Sequence, residues 1–184
     1  TDIKFEYPDS VNIRGYKPSV KGHPLQIKRV LSAVSSAKKP VICAGGGVFA
    51  CGAQKALVQF AERCDIPVIT TMMGIGSIPS AHPLCFGMLG TYGVKVANYA
   101  INQADLLILI GARVGDRAVT APNTIVETTQ IIHIDIDPAE IGKNMDVHIP
   151  LVGDAKIILK QLISKVEGEF DRSYWKNELC QIRA

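Results

Sequence analysis

The sequence has no Cys-x-x-C pair. Its five cysteines, Cys43, Cys51, Cys64, Cys85 and Cys180, are an odd number. A disulfide framework and a zinc site are both disfavoured on that count, and a reduced, cytoplasmic setting fits best. Cys43 lies inside an apolar run and reads as a buried free thiol. The four histidines, His23, His82, His133 and His148, are scattered, and none pairs with a second ligand at metal spacing. Basic runs and basic–aromatic stripes are absent as well. With 20 basic and 17 acidic residues the net charge is only +3, which argues against nucleic acid as a partner. The longest apolar stretch, Leu106 to Ala112, is far short of a membrane span. No signal peptide is legible in Thr1-Asp2-Ile3-Lys4-Phe5-Glu6-Tyr7-Pro8, and the missing initiator methionine suggests an excised fragment. A catalytic set is also lacking: no Ser/His/Asp spacing, no Cys–His pair with helpers, and no two acids placed for proton transfer.

What is present suits one globular domain: 184 residues, 47% hydrophobic and 20% charged. The chain is organised around Pro40-Val41-Ile42-Cys43-Ala44-Gly45-Gly46-Gly47, an apolar run that ends in three glycines. A buried strand that opens through glycines onto a helix can hold a phosphate, because the backbone approaches the anion and free N–H groups face it. The G-x-G-x-x-G spacing is missing, so a tight turn is the plainer alternative.

Residues 1–22 carry Pro8, Gly15, Pro18 and Gly22 without a period and read as a linker packed on the surface. His23-Pro24 opens a helix with Ile27, Val30, Leu31 and Val34 at helical spacing. Strands are expected at Val41–Ala44, Val68–Thr71, Asp105–Ala112, Gln130–Ile136 and Val147–Val152. Helices are expected at Ala53–Cys64, Val94–Gln103 and Ala155–Val166, with a last one in Phe170–Ala184 leading elsewhere. Apolar strands alternating with helices predict a parallel sheet covered on both faces, a doubly wound α/β fold. Right-handed crossovers then set all strand C-termini along one edge, where such sheets bind ligands.

That edge would carry Gly45 to Gly47, Thr71 to Gly74, Gly111 to Arg117, Asp135 to Asp137 and Gly153-Asp154. Five such ends together favour a nucleotide, and the chain reads as a dinucleotide-binding domain without chemistry of its own. Asp135 is placed to accept ribose hydroxyls. Asp137, before Pro138, reads as a turn or cap, and capping alone would explain Asp154. Arg113 and Arg117 could bind phosphate or carboxylate by paired donors, or pair with Asp116. Met72, Met73, Met88 and Leu89 could wall a flat ring or simply pack in the core.

Several stretches taken together resemble one family. They are Val11-Asn12-Ile13-Arg14-Gly15-Tyr16-Lys17-Pro18, Lys21-Gly22-His23-Pro24, Gly45-Gly46-Gly47, Thr70-Thr71, Gly87-Met88-Leu89-Gly90 and Gly111-Ala112-Arg113. To these add the run Ile132-His133-Ile134-Asp135-Ile136-Asp137-Pro138-Ala139-Glu140-Ile141-Gly142-Lys143, and Val152-Gly153-Asp154. The set is similar to the central domain of the acetolactate (acetohydroxyacid) synthase large subunit and covers nearly the whole chain.

The resemblance implies a six-stranded, doubly wound, Rossmann-like domain of the DHS-like NAD/FAD-binding type at 23–167. It also implies a linker at 1–22, and at 168–184 a linker helix towards a C-terminal catalytic domain. It implies FAD in this domain without a net redox role, and thiamine diphosphate with Mg²⁺ bound by other domains. The family decarboxylates pyruvate and adds the two-carbon unit to a second 2-keto acid on the way to branched-chain amino acids. Its full-length members are expected to be homo-oligomers, dimers or tetramers, with a possible regulatory small subunit.

Carried over residue by residue, FAD contacts fall on Gly45, Gly46, Gly47, Thr71, Met72, Met73, Gly74, Leu89, Gly90, Thr91, Tyr92, Gly111, Ala112, Arg113, Val114, Gly115, Asp135, Ile136, Asp154 and Ala155. Arg117 matches the arginine that holds the carboxylate of the second keto acid. The chain departs from the family at Thr91-Tyr92, where Met-His is common, and at Val114-Gly115-Asp116-Arg117, where Phe-Asp-Asp-Arg is common. Both departures bear on substrate preference and FAD affinity. The glutamate that activates thiamine diphosphate and the Gly-Asp-Gly…Asn motif for Mg²⁺ belong to other domains, so this domain alone is expected to be inactive. Two alternatives stay open: a non-flavin scaffold or dimerisation domain of a related thiamine enzyme, and a nicotinamide-dependent deacylase of similar fold.

Overall fold

The computed structural model describes residues 18–113, 115 and 125–183. Its six strands are β1 Pro40–Ala44, β2 Val68–Thr70, β3 Cys85–Met88, β4 Leu106–Ile110, β5 Gln130–Asp135 and β6 Ile149–Val152. They form one sheet in the order β3-β2-β1-β4-β5-β6, and every neighbouring pair is parallel. The doubly wound fold expected from the sequence is what the chain adopts. The central strands β1 and β4 are buried at every position, as apolar runs without alternation require.

Helices α1 Pro24–Ser36, α2 Gly47–Ala50, α3 Gln54–Cys64, α4 Lys95–Gln103, α5 Ala155–Ile163 and α6 Ser173–Arg183 complete the two outer layers. Alternate strand residues divide the core. Ile42, Ala44, Ile108, Ile110, Ile132 and Ile134 pack under α1, α3 and α5. Val41, Cys43, Leu107, Leu109 and Ile131 face α4 and α6. Among the described residues, no helix is long and apolar enough to cross a membrane.

The sixth strand, β3, is not separable from its loop by pattern. It is short, lies at the sheet edge and contains Gly87, where a Cβ would meet Val94 at 2.8 Å. The glycine triplet opens onto α2, a single turn that precedes the helix expected from Ala53. Cys43 is fully buried as expected, and burial pushes its thiol up to about 12. In the 1–22 segment the described part is 18–22. Val20 accepts a bond from the Asp154 N–H at 3.0 Å, and Gly22 N–H donates to Gln161 at 3.0 Å.

The last helix, α6, lies in the segment 168–184 read as a linker helix, and it closes this domain's second core. Trp175 is 1% exposed and donates its indole N–H to the Pro40 carbonyl at 3.1 Å; Leu179 is fully buried. Glu178 accepts from Lys39 at 2.8 and 2.9 Å and from the Tyr99 hydroxyl at 2.9 Å. Just before the helix, Arg172 is buried with its guanidinium on the carbonyls of Val34, Ala37 and Cys64. These lie at the C-terminal ends of α1 and α3, where a cation offsets both helix dipoles and satisfies leftover acceptors. Asp65, left-handed at φ 53°, ends α3 and takes the Arg172 N–H at 2.7 Å and Lys176 at 2.6 Å.

Candidate cofactor site at the strand-order reversal

Strand order reverses between β1 and β4, and the C-terminal edge at such a reversal is where doubly wound sheets bind ligands. Gly45–Gly47 leave β1 there and Gly111–Arg113 leave β4. The two backbones cross in contact. Gly45 N–H donates to the Ile110 carbonyl at 3.0 Å, and Gly47 N–H to the Gly111 carbonyl at 2.9 Å. A Cβ on Gly45 would stand 2.2 Å from the Gly111 oxygen, and one on Gly47 would stand 2.7 Å from the Gly111 Cα. Gly74, at the end of a 3-10 turn over Met72–Gly74, meets the Ala44 oxygen in the same way, at 2.1 Å. Gly111 also has φ +54°, a conformation other residues rarely take. Close chain-to-chain approach therefore accounts for four of these glycines. The N–H groups of Gly45 and Gly47, expected to face an anion, are bonded within the chain.

Gly46 differs. Its φ −61° and ψ −24° suit any residue, and the atom nearest a Cβ there is the Met73 Cβ at 3.1 Å. No acceptor for its N–H exists among the described residues. Beside it stands Met73 (74% exposed), and the exposed Met72, Ile75 and Phe49 belong to the same two turns; Tyr92 (83% exposed) follows the edge strand β3. Asp135, at the end of β5, accepts the Asp137 N–H on Oδ1 at 3.0 Å and is half-buried. Its second oxygen has no partner among the described residues, which leaves it able to accept a ribose hydroxyl. Gly46 with its thioether neighbours after β1 and β2, Tyr92 after β3 and Asp135 after β5 all lie along the C-terminal edge of the sheet.

Other expected residues sort differently. Leu89, Ala112 and Ala155 are buried in the cores, so their side chains do not line that edge. Asp154 accepts the Ile157 N–H at 3.0 Å and caps α5, the plain alternative weighed for it. Asp137 accepts the Ala139 N–H at 2.9 Å in a turn, as expected. Thr71, Gly90, Thr91, Gly115 and Ile136 all reach the surface at least in part. The exposed side chain of Arg113 pairs with Glu140 at 3.5 Å, and Glu140 also takes Lys143 at 3.0 Å. Val114 and Arg117 lie outside the described residues. Among the described residues, no group of three potential metal ligands exists.

His133 is the polar residue that sequence reasoning passed over. It sits within β5, is buried, and its Nε2 has no hydrogen-bond partner among the described residues. An isolated histidine in an apolar run gives no signal of this. Burial lowers its pKa from 6.5 against the opposing pull of Asp135 and Glu140. Below pH 6.5 the unfolded chain binds this proton more readily than the folded one. Its contribution to stability is thus complete above 6.5 and falls as pH drops from there towards the lower folded value. Urea unfolding at about pH 8 and about pH 5 is expected to show a stability loss on acidification that His133→Phe reduces. An equal loss in both proteins would contradict this.

Residues 27–162 match the family model of the thiamine pyrophosphate enzyme central domain. A probable acetolactate synthase large subunit of Methanocaldococcus jannaschii is 49% identical over 98% of this chain and 31% of its own length. The acetolactate synthase large subunit of Corynebacterium glutamicum is 41% identical over 100% of this chain and 30% of its own. That of Haemophilus influenzae is 40% identical over 98% and 32%. The chain spans less than a third of the length of these relatives. A match over most of the chain, on a six-stranded doubly wound sheet, establishes that this chain belongs to the thiamine pyrophosphate enzyme central-domain family.

Proposed function

We propose that the chain is the central domain of an acetolactate synthase large subunit and that the crevice at the strand-order reversal holds FAD. The observation that carries the cofactor is Gly46, a glycine with an ordinary backbone and an N–H without an acceptor among the described residues. It is set beside the exposed Met72 and Met73. Asp135 would take the ribose, and Met72, Met73 and Tyr92 would flank the flat ring. The similarity to acetolactate synthase large subunits along nearly the whole chain supports the enzyme.

The full-length protein would condense pyruvate with a second 2-keto acid, pyruvate or 2-ketobutyrate, in isoleucine and valine biosynthesis. Thiamine diphosphate with Mg²⁺, held by other domains, supplies the decarboxylation and carbon–carbon bond formation. This domain shapes the site, and Arg117 would hold the carboxylate of the second keto acid. A guanidinium suits that role because its paired donors match a carboxylate. A cytoplasmic homo-oligomer, with or without a regulatory subunit, completes the proposal.

A second reading, a scaffold without flavin, has one observation in its favour: backbone packing accounts for Gly45, Gly47, Gly74 and Gly111 without a ligand. The enzymatic assignment is tested by incubating the intact polypeptide that carries this domain with pyruvate, thiamine diphosphate and Mg²⁺. Acetolactate is the expected product, and the separate domain is expected to form none. No acetolactate from the intact protein, or turnover by the domain alone, would contradict it.

A further inference from the structure

The loop after β3 is the most exposed part of the candidate site, yet it is tightly built. Leu89 N–H extends the sheet by donating to the Thr70 carbonyl at 3.0 Å. Gly93 N–H donates to the Gly90 carbonyl at 2.8 Å, and Val94 N–H closes the loop on the Met88 carbonyl at 2.8 Å. Gly90 stands at φ +111°, a backbone state open to glycine and rarely to other residues. One side chain in α4 holds it there. Asn98 Oδ1 accepts the Gly90 N–H at 2.8 Å, and Asn98 Nδ2 donates to the Gly90 carbonyl at 3.0 Å. A single carboxamide thus grips both polar atoms of one residue at the root of the tip Thr91-Tyr92.

Only a carboxamide offers a donor and an acceptor side by side in a fixed plane. Aspartate keeps the acceptor, loses the donor and sets a negative charge against the Gly90 carbonyl. Alanine loses both. From this geometry we propose that Asn98 is a positioning residue for cofactor binding: it fixes loop 89–93 so that Tyr92 is presented rigidly at the sheet's C-terminal edge. The proposal rests on the FAD reading above and adds how this chain organises that site. A side chain as exposed as Tyr92 would ordinarily be mobile, and ordering it on binding would weaken affinity. A loop backbone held in place beforehand leaves only the side-chain rotamer to be ordered.

The test uses the intact protein with Asn98→Asp, Asn98→Ala and, on the buried face of α4, Ile101→Ala. Ile101 is core and has no contact role at Gly90, so its variant reports global destabilisation alone. FAD affinity is measured by titration, thermal stability by melting, and the Gly90 amide by hydrogen exchange. Both Asn98 variants are expected to exchange Gly90 faster and to bind FAD about tenfold more weakly. Ile101→Ala is expected to melt lower with FAD affinity unchanged. Asn98 variants that bind FAD as tightly as wild type, or that lose affinity only as far as Ile101→Ala does, would overturn the proposal. Wild-type protein that binds no FAD would overturn both this and the functional reading, and so separates the two failures.

Discussion

Gly45→Ala and Gly111→Ala are each expected to remove a large part of the fold's stability, whereas Gly46→Ala, next to Gly45 in the chain, is expected to be tolerated. At Gly45 the new Cβ would lie 2.2 Å from the Gly111 oxygen and 2.5 Å from the Ala112 Cα; both are backbone atoms in the centre of the sheet's upper edge. Neither can swing aside as a side-chain end would. At Gly111 a Cβ adds a left-handed conformation to a 2.7 Å approach on the Gly47 Cα. Overpacking of this kind costs about 3 kcal/mol or more, with roughly another 1 kcal/mol for the backbone state. Against a total stability of about 5–15 kcal/mol, either substitution removes a large fraction. Gly46 has neither problem beyond a 3.1 Å approach to Met73, which is mostly solvent-exposed. Urea unfolding followed by the fluorescence of Trp175 measures all three, because the chain has one tryptophan and it is buried. A folded, wild-type-like Gly45→Ala would contradict the crossing of β1 and β4.

Removal of residues 168–184 is expected to leave an aggregating chain, although the family match ends at residue 162. The deletion strips Trp175 and Leu179 from the second core and exposes Val41, Leu107 and the apolar side of α4. It also removes Arg172, so carbonyls at the ends of α1 and α3 lose their partner in a buried place. Trp175→Ala alone is expected to cost about 3–5 kcal/mol through lost burial and a lost bond to Pro40. Size-exclusion chromatography of the truncated chain decides the point: a monodisperse, cooperatively melting product would show that α6 is dispensable.

Much of this fold could be read from residue order. Val41–Ala44 and Leu106–Ile110 are apolar without alternation, and that pattern fits a two-sided sheet interior and little else. β3 escaped because Cys85–Met88 is short and glycine-containing at a sheet edge, where periodicity has too few residues to register. The role of α6 escaped because amphipathicity shows that a helix has a partner, not which domain supplies it. That the strand ends with glycines and acids share one edge was legible, because a parallel sheet requires it. The division of labour was not. Gly45 and Gly46 are adjacent and identical in sequence, yet a Cβ would meet the Gly111 backbone at one and the Met73 side chain at the other. Nothing in the sequence marks Asn98, between Ala97 and Tyr99, and only the fold brings it to Gly90.

The central claim is that the crevice beside Gly46 takes a flavin. The direct measurement is the visible absorbance of the purified intact protein, followed by FAD titration of the wild type and of a bulkier Gly46→Val variant that melts like wild type. Bound FAD near one per chain in the wild type, with binding lost or sharply weakened in Gly46→Val, is the predicted result. A colourless wild type that does not bind added FAD, or a Gly46→Val protein that binds it equally well, would contradict the claim.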